Sequence, residues 1–71
     1  MKICWQEDVE LTVVLYYDEE QDIPVRDVEI IKAGEEDEVD ITSDHGETVD
    51  MQFGCGSMAY NVDKKLFIEV K

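Results

Sequence analysis

Hydrophobic and polar residues alternate along most of the chain, and no window of useful length has the 3.6-residue spacing of an amphipathic helix. The longest alternating segment is VELTVVLYY, residues 9–17, in which every second residue from Val9 onwards is apolar. These side chains are predicted to share one face of a strand. Val14 and Tyr16 make the opposite face partly apolar as well, so the segment is predicted to be a central strand covered on both sides.

Further segments have the same period of two and are bounded by turn residues. They are residues 2–6, 25–32, 38–42, 48–53 and the C-terminal stretch 58–71. We predict a hairpin between 25–32 and 38–42, joined by the Gly-containing AGEED, and a turn at SDHGE that leads into 48–53. Residues 58–71 are predicted to form a C-terminal hairpin with its turn near DKK. Residues 18–24 and 54–57 are predicted to be loops.

The expected fold is all-β and mainly antiparallel. It is a small curled sheet, a barrel or a two-layer sandwich of about five to six strands, with at most a short helical turn in 18–24 or near 54–58. The 71 residues are expected to form a single domain, and they contain no linker or internal repeat. No apolar run approaches the roughly 20 residues that span a bilayer, and the N-terminus lacks the apolar region of a signal peptide. We therefore expect a cytoplasmic protein, or one of the host cytoplasm if it is viral.

Charge changes this picture more than any motif does. The chain has 19 acidic residues against six basic ones, a net charge of −13. Residues 1–50 contain 17 acids and only Lys2, Arg26 and Lys32, a balance of −14, whereas residues 51–71 have a balance of +1. Such a field repels nucleic acids and anionic membranes, so direct binding to either is not expected. A charged partner is expected to be basic.

The acids are spaced evenly in GEEDEVDITSD, residues 34–44. On an extended strand, Glu36, Glu38, Asp40 and Asp44 would point the same way, with alternate side chains about 6.8 Å apart, twice the rise per residue. Successive phosphates of a nucleic-acid strand are separated by a similar distance. The alternative explanation is that outward positions of a half-buried sheet must be polar, and that acids keep edge strands from pairing. It does not explain why Lys and Arg are nearly absent from residues 1–50, and both explanations stay open.

The predicted partner-binding surface extends this ladder with acids from two neighbouring segments. It comprises Glu36, Glu38, Asp40, Asp44, Asp18, Glu19, Glu20, Asp27 and Glu29. Tyr16 and Tyr17 point in opposite directions on a strand, so at least one of them is expected to reach the surface beside these acids. Aromatic side chains next to a charged face are typical interface anchors.

The sequence indicates no catalytic residue, metal site or cofactor. DITSDHG partly resembles a calcium-binding loop, but His45 stands where the sharp turn needs glycine and Met51 where the bidentate glutamate belongs. Cys55 lies between two glycines, but a nucleophilic thiolate needs a base and an electropositive setting. Cys4 and Cys55 are expected to be free thiols, although a bridge between them stays open. We do not expect an enzyme.

A very small, acidic, β-rich domain of this kind is similar in kind to phage-encoded inhibitors that imitate nucleic acid, at the level of charge and size. The first hypothesis is therefore a binding protein whose carboxylates occupy the basic groove of a nucleic-acid-binding enzyme or effector, for example a phage-encoded anti-restriction or anti-CRISPR protein that acts against host defence. The alternative is a structural or assembly subunit, a homodimer joined through the C-terminal hairpin, in which the acids serve only solubility.

Overall fold

The computed structural model describes all 71 residues and contains seven strands and one short helix. In chain order they are β1 (Lys2–Trp5), β2 (Val9–Asp18), β3 (Ile23–Ile31), β4 (Glu36–Asp44), β5 (Thr48–Phe53), β6 (Met58–Asp63), a 3-10 turn (Lys64–Leu66) and β7 (Phe67–Val70). The all-β antiparallel prediction is confirmed. Seven strands are present rather than the expected five to six.

The strands form one sheet in the order β3-β2-β6-β5-β4-β1-β7. Two predicted hairpins are absent: β3 does not pair with β4, and β6 does not pair with β7. Instead β1 lies between β4 and β7, with Lys2 opposite both Glu38 and Val70. These pairings join segments far apart in sequence, so alternation alone could not reveal them. The C-terminal hairpin assumed in the self-association hypothesis is therefore not formed.

The 3-10 turn directs the chain from β6 to β7 in place of a hairpin. Asp63 is its N-terminal cap, and its carboxylate accepts a hydrogen bond from the Lys65 amide at 2.9 Å. The Lys64 amide donates to the Glu47 carbonyl at 3.0 Å, which anchors the turn to the β4–β5 connection. The helical turn thus lies at 64–66, outside the segments in which it was expected. No helix in the protein is long and apolar enough to cross a membrane.

The curled sheet encloses a small apolar core. Its largest fully buried side chains are Trp5, Ile3, Met51, Val13, Val39 and Val62. The Trp5 ring meets Phe67 edge to face at 5.7 Å, and its indole N–H donates to an Asp37 carboxylate oxygen at 2.8 Å. Asp37 thus satisfies the one polar atom that Trp5 brings into the core. This arrangement joins β1, β4 and β7 on the buried side.

The β2–β3 hairpin projects from the sheet. The two strands pair along their length, but β2 pairs with β6 only at Val13 and Val14. The protein is accordingly elongated, 40 × 23 × 19 Å. A bulge at Leu15 shifts the register, so that Tyr16 lies opposite Val25 and Tyr17 opposite Pro24. Directly opposite residues share a face. Tyr17 therefore lies on the opposite face of β2 from Val9 and Val13. The sequence-based prediction that all three share one face is wrong.

Candidate protein-interaction surface

Three of the four ladder acids lie together on the outer face of β4. Glu36 is opposite Cys4, Glu38 is opposite Lys2, and Asp40 is opposite Gln52. They occupy alternate positions of one strand, for which the rise per residue gives a spacing of about 6.8 Å. All three side chains belong to exposed residues, because the buried face of β4 is occupied by Asp37 and Val39. The prediction that Glu36, Glu38 and Asp40 share one face is confirmed.

Asp44 does not belong to this ladder. A bulge between Ile41 and Ser43 places one extra residue in β4, and Ser43 rather than Thr42 lies opposite Asp50. Because side chains alternate, one extra residue reverses every later position, and Asp44 points to the opposite face. There it forms an ion pair with Lys64 at 2.8 Å. Hydrogen bonds from Lys64 and from the Gly46 amide lower the pKa of the Asp44 carboxyl.

Two of the three remaining ladder carboxylates already have cations of the same chain beside them. The ammonium of Met1 lies 2.8 Å from Glu38, and Lys2 lies 3.8 Å from Glu36. The hydrogen bond with the ammonium lowers the pKa of Glu38 and raises the pKa of the N-terminus. Asp40 is the one ladder acid without an ion pair. The ladder therefore offers less free negative charge to a partner than its sequence suggests.

The β2–β3 hairpin has no such compensation. Residues 9–31 contain seven acids and one base, Arg26, a balance of −6. None of the five ion pairs in the protein involves any residue of this segment. The carboxylates of this hairpin therefore have no cation of the same chain within ion-pair distance, and they can interact with solvent or with a basic partner.

The hairpin acids fall into two groups. Asp18, Glu19 and Glu20 surround the tip, where the Asp18 carboxylate accepts hydrogen bonds from the amides of Glu20 and Gln21 at 3.0 and 3.3 Å. Asp27 and Glu29 lie along β3, on the same face as Ile31. Ile31 is buried in the core, but the two acids are exposed. The tip extends four residues, or roughly 13 Å at the rise of a strand, beyond the last pairing with β6. The nine predicted acids thus lie at separate places rather than on one continuous face.

The hairpin also contains most of the exposed apolar side chains. Of the ten large exposed hydrophobic residues in the protein, six belong to it: Leu15, Tyr16, Tyr17, Ile23, Val28 and Ile30. Both tyrosines reach the surface, as expected for at least one of them. The Tyr17 hydroxyl donates a hydrogen bond to the Asp22 carboxylate, which raises the pKa of the phenol. Val28 and Ile30 were missed as surface residues, although the two-sided apolar pattern of 25–31 could have indicated them.

A cleft of about 350 Å³ opens between β3 and β4, two strands that are not paired. Its lining comprises Glu29, Ile31, Asp37, Glu38, Phe53, Gly54, Cys55 and Ser57. The lining is therefore partly acidic and partly apolar, although the Glu38 carboxylate itself lies on the outer face of β4 beside the N-terminus. Gly54 comes close to β4, where its amide donates to the Glu38 carbonyl at 3.2 Å.

Both cysteines are free thiols. The Cys55 thiol lies 3.1 Å from the Ser57 hydroxyl, and this hydrogen bond lowers its pKa, while the charge of nearby Glu29 acts in the opposite direction. His45 bonds to the Asp50 carboxylate at 3.0 Å in the β4–β5 hairpin. No group of three or more His, Cys, Asp or Glu side chains is arranged to hold a metal ion.

Comparison with known protein families, with curated proteins and with solved structures finds no match for this chain. The chemistry of its own residues is therefore the basis on which a function can be inferred.

The hydrogen bonds of the Asp50 carboxylate predict how the stability of the protein depends on pH. Hydrogen bonds from the Asn61 amide, at 2.9 Å, and from His45 lower the pKa of Asp50. Between the ordinary aspartate pKa of about 3.9 and this lower value, the unfolded state binds more protons, so the contribution of Asp50 to stability is lost as pH falls. We expect Asp50→Asn to be less stable than the wild type at pH 7, and the difference to vanish in acid.

Urea unfolding midpoints between pH 7 and pH 2 measure this effect. Glu47→Gln removes the same charge at an exposed side chain without an ion pair, and it corrects for the general relief of repulsion in this acidic chain. If the Asp50→Asn difference is independent of pH, or equals that of Glu47→Gln, the hydrogen bonds do not contribute as described.

Proposed function

We propose that this protein is a small acidic inhibitor that occupies the basic groove of a nucleic-acid-binding enzyme or effector and excludes nucleic acid by competition. The observation that supports it is the uncompensated charge of the β2–β3 hairpin, a projecting element with a balance of −6 and no ion pair. Carboxylates in a fixed arrangement can satisfy the Lys and Arg side chains that a groove presents to phosphates.

The hairpin, rather than the ladder, is the leading element of this proposal. Asp18, Glu19 and Glu20 can enter a groove ahead of the rest of the molecule, while Tyr16 and Tyr17 supply apolar contact behind them. Glu36, Glu38 and Asp40 form a second acidic row on the sheet, partly neutralised by Lys2 and the N-terminus. Long-range attraction would make association fast and strongly salt-dependent.

Restriction and CRISPR effectors, nucleases and repair enzymes carry grooves of the required kind. The protein would then act in the cytoplasm, or in that of the host if it is viral. The proposal involves no catalytic step and no cofactor.

The test is affinity capture from a lysate of the native host, at low salt and at about 0.5 M salt, where the Debye length is a few Å. Three variants run beside the wild type. One reverses the tip charges (Asp18→Lys, Glu19→Lys, Glu20→Lys), one reverses the ladder (Glu36→Lys, Glu38→Lys, Asp40→Lys), and the control reverses three exposed acids elsewhere (Glu7→Lys, Glu47→Lys, Glu69→Lys).

We expect the wild type and the control to capture a nucleic-acid-binding protein at low salt, and added duplex DNA or RNA to release it. The tip variant should lose capture, and the ladder variant should lose it in part. Capture that nucleic acid does not reverse, or equal loss in all three variants, would contradict groove competition.

A further inference from the structure

One edge of β3 is open. Strand β3 pairs with β2 on one side and has no neighbour on the other. The direction of its amides can be read from three hydrogen bonds. The Ala33 amide donates to Asp8 on the β2 side, whereas the Lys32 and Val28 amides donate to the Glu35 and Asp27 side chains. Amides alternate in direction along a strand, so those of Arg26 and Ile30 point to the open edge.

An open edge is a template on which another strand can pair. The other edge of this sheet, β7, has only four residues and stands next to Lys64, Lys65 and Lys71. Strand β3 has nine residues and carries no lysine. Its single proline, Pro24, lies near the tip and leaves residues 25–31 free to pair.

The side chains of β3 indicate which residue types an added strand would need. Asp27 and Glu29 lie on the inner face, and Val28 and Ile30 lie on the outer face with exposed fractions of 50% and 68%. In an antiparallel pair, directly opposite side chains share a face and interact. A strand that alternates basic with apolar residues would therefore meet opposite charges on one face and apolar contacts on the other.

The cleft between β3 and β4 adjoins the open edge of β3, on the face that carries Asp27 and Glu29. Glu29 and Ile31 belong to its lining, together with Asp37 and Glu38 of β4. A basic side chain placed opposite Glu29 would enter the mouth of this cleft. There its ammonium or guanidinium group would lie beside the Glu29 carboxylate, while its methylene groups pack against Ile31 and Phe53.

We propose that β3 accepts an extended basic segment of the partner protein as an additional antiparallel strand, with alternate Lys or Arg side chains against Asp27 and Glu29 at the cleft. This mode is β-strand addition, in which backbone hydrogen bonds supply affinity and alternate side chains supply specificity. The proposal deepens the proposed function and depends on it, since it names the part of a basic partner that the protein holds. Asp27 would release the Val28 amide and turn to the incoming cation.

The test uses the full chain and a blocked eight-residue peptide, four repeats of Lys-Val, as the probe. A peptide of four Lys-Pro repeats has the same charge, but it lacks the amides that face β3 in an antiparallel pair, because these belong to the residues opposite Val28 and Ile30. Binding is followed by titration calorimetry, and its location by backbone amide chemical shifts.

Three variants accompany the wild type. Ile30→Pro removes an amide that points away from β2 and obstructs the edge, and circular dichroism verifies that it is folded. Glu29→Lys reverses a charge at the cleft on an exposed side chain. Glu47→Lys makes the same reversal in the β4–β5 turn as the matched control.

We expect the Lys-Val peptide to shift amides of residues 25–31 and to bind about tenfold more tightly than the Lys-Pro peptide, because only Lys-Val can form the backbone hydrogen bonds that hold its lysines against Asp27 and Glu29. Ile30→Pro and Glu29→Lys should each remove most of this preference, and Glu47→Lys should retain it. No binding, equal binding of both peptides, or shifts outside β3 and the cleft would overturn strand addition. Groove competition would still be decided by the release of captured protein with nucleic acid.

Discussion

Replacing Trp5 by alanine is expected to lower the free energy of unfolding by about 3–5 kcal/mol, the usual cost of deleting a buried tryptophan side chain. Trp5 is completely buried, it packs on Phe67, and its indole N–H is bonded to Asp37. Total stability of a domain is typically about 5–15 kcal/mol, and a chain this short belongs near the lower limit. The variant should therefore be largely unfolded at 37 °C.

Urea denaturation followed by far-ultraviolet circular dichroism measures this loss, since the variant has no tryptophan left for fluorescence. Trp5→Phe separates the contribution of aromatic packing from that of the indole hydrogen bond. It keeps an aromatic ring but leaves the Asp37 carboxylate without its donor. It should cost roughly 1–3 kcal/mol. Tyr60→Ala, at an aromatic residue that is 53% exposed, is the control and should cost much less. A Trp5→Ala midpoint close to that of Tyr60→Ala would mean that Trp5 is not central to the core.

The second large effect is expected from Val13→Asp. Val13 is completely buried and lies opposite Ala59, in one of only two residue pairs that join the β2–β3 hairpin to β6. A carboxylate there would have no partner in the apolar core, and a buried unpaired charge typically costs about 3–5 kcal/mol. We expect the variant to lose its cooperative unfolding transition, or to release the hairpin from the rest of the sheet.

Amide hydrogen exchange distinguishes these outcomes. Release of the hairpin would remove protection from β2 and β3 while β4, β5 and β1 keep theirs; global unfolding would remove it everywhere. Thr12→Asp adds the same charge one residue earlier, on the exposed face, and should change stability by no more than about 0.5 kcal/mol. If Thr12→Asp and Val13→Asp have similar effects, the assigned faces of β2 are wrong.

The acidic surface shows how far sequence spacing could predict a site. Glu36, Glu38 and Asp40 lie on one face because they occupy alternate positions of an uninterrupted strand segment. Asp44 has the same parity in the sequence, but the bulge after Ile41 reverses its direction. A bulge depends on how a neighbouring strand is paired, so the residues of β4 alone could not indicate it.

The ion pairs that neutralise Glu38 and Asp44 could not be predicted from the sequence either. The N-terminus reaches Glu38 because β1 pairs with β4, and Lys64 reaches Asp44 because the 3-10 turn packs beside the β4–β5 connection. Both contacts join segments at least 20 residues apart. They neutralise part of the ladder, so the hairpin acids, which form no ion pair, hold the larger share of the free negative charge.

Sequence by itself determined the all-β fold class, most of the strand segments, the acidic character of residues 1–50 and the exposure of a tyrosine beside the tip acids. These properties follow from local periodicity and composition, which every strand carries in its own residues. Tertiary structure alone decided the position of β1 between β4 and β7, the bulges in β2 and β4, the ion pairs and the open edge of β3. Each of these depends on which segments become neighbours, and that choice is made by the burial of one shared core rather than by any single strand.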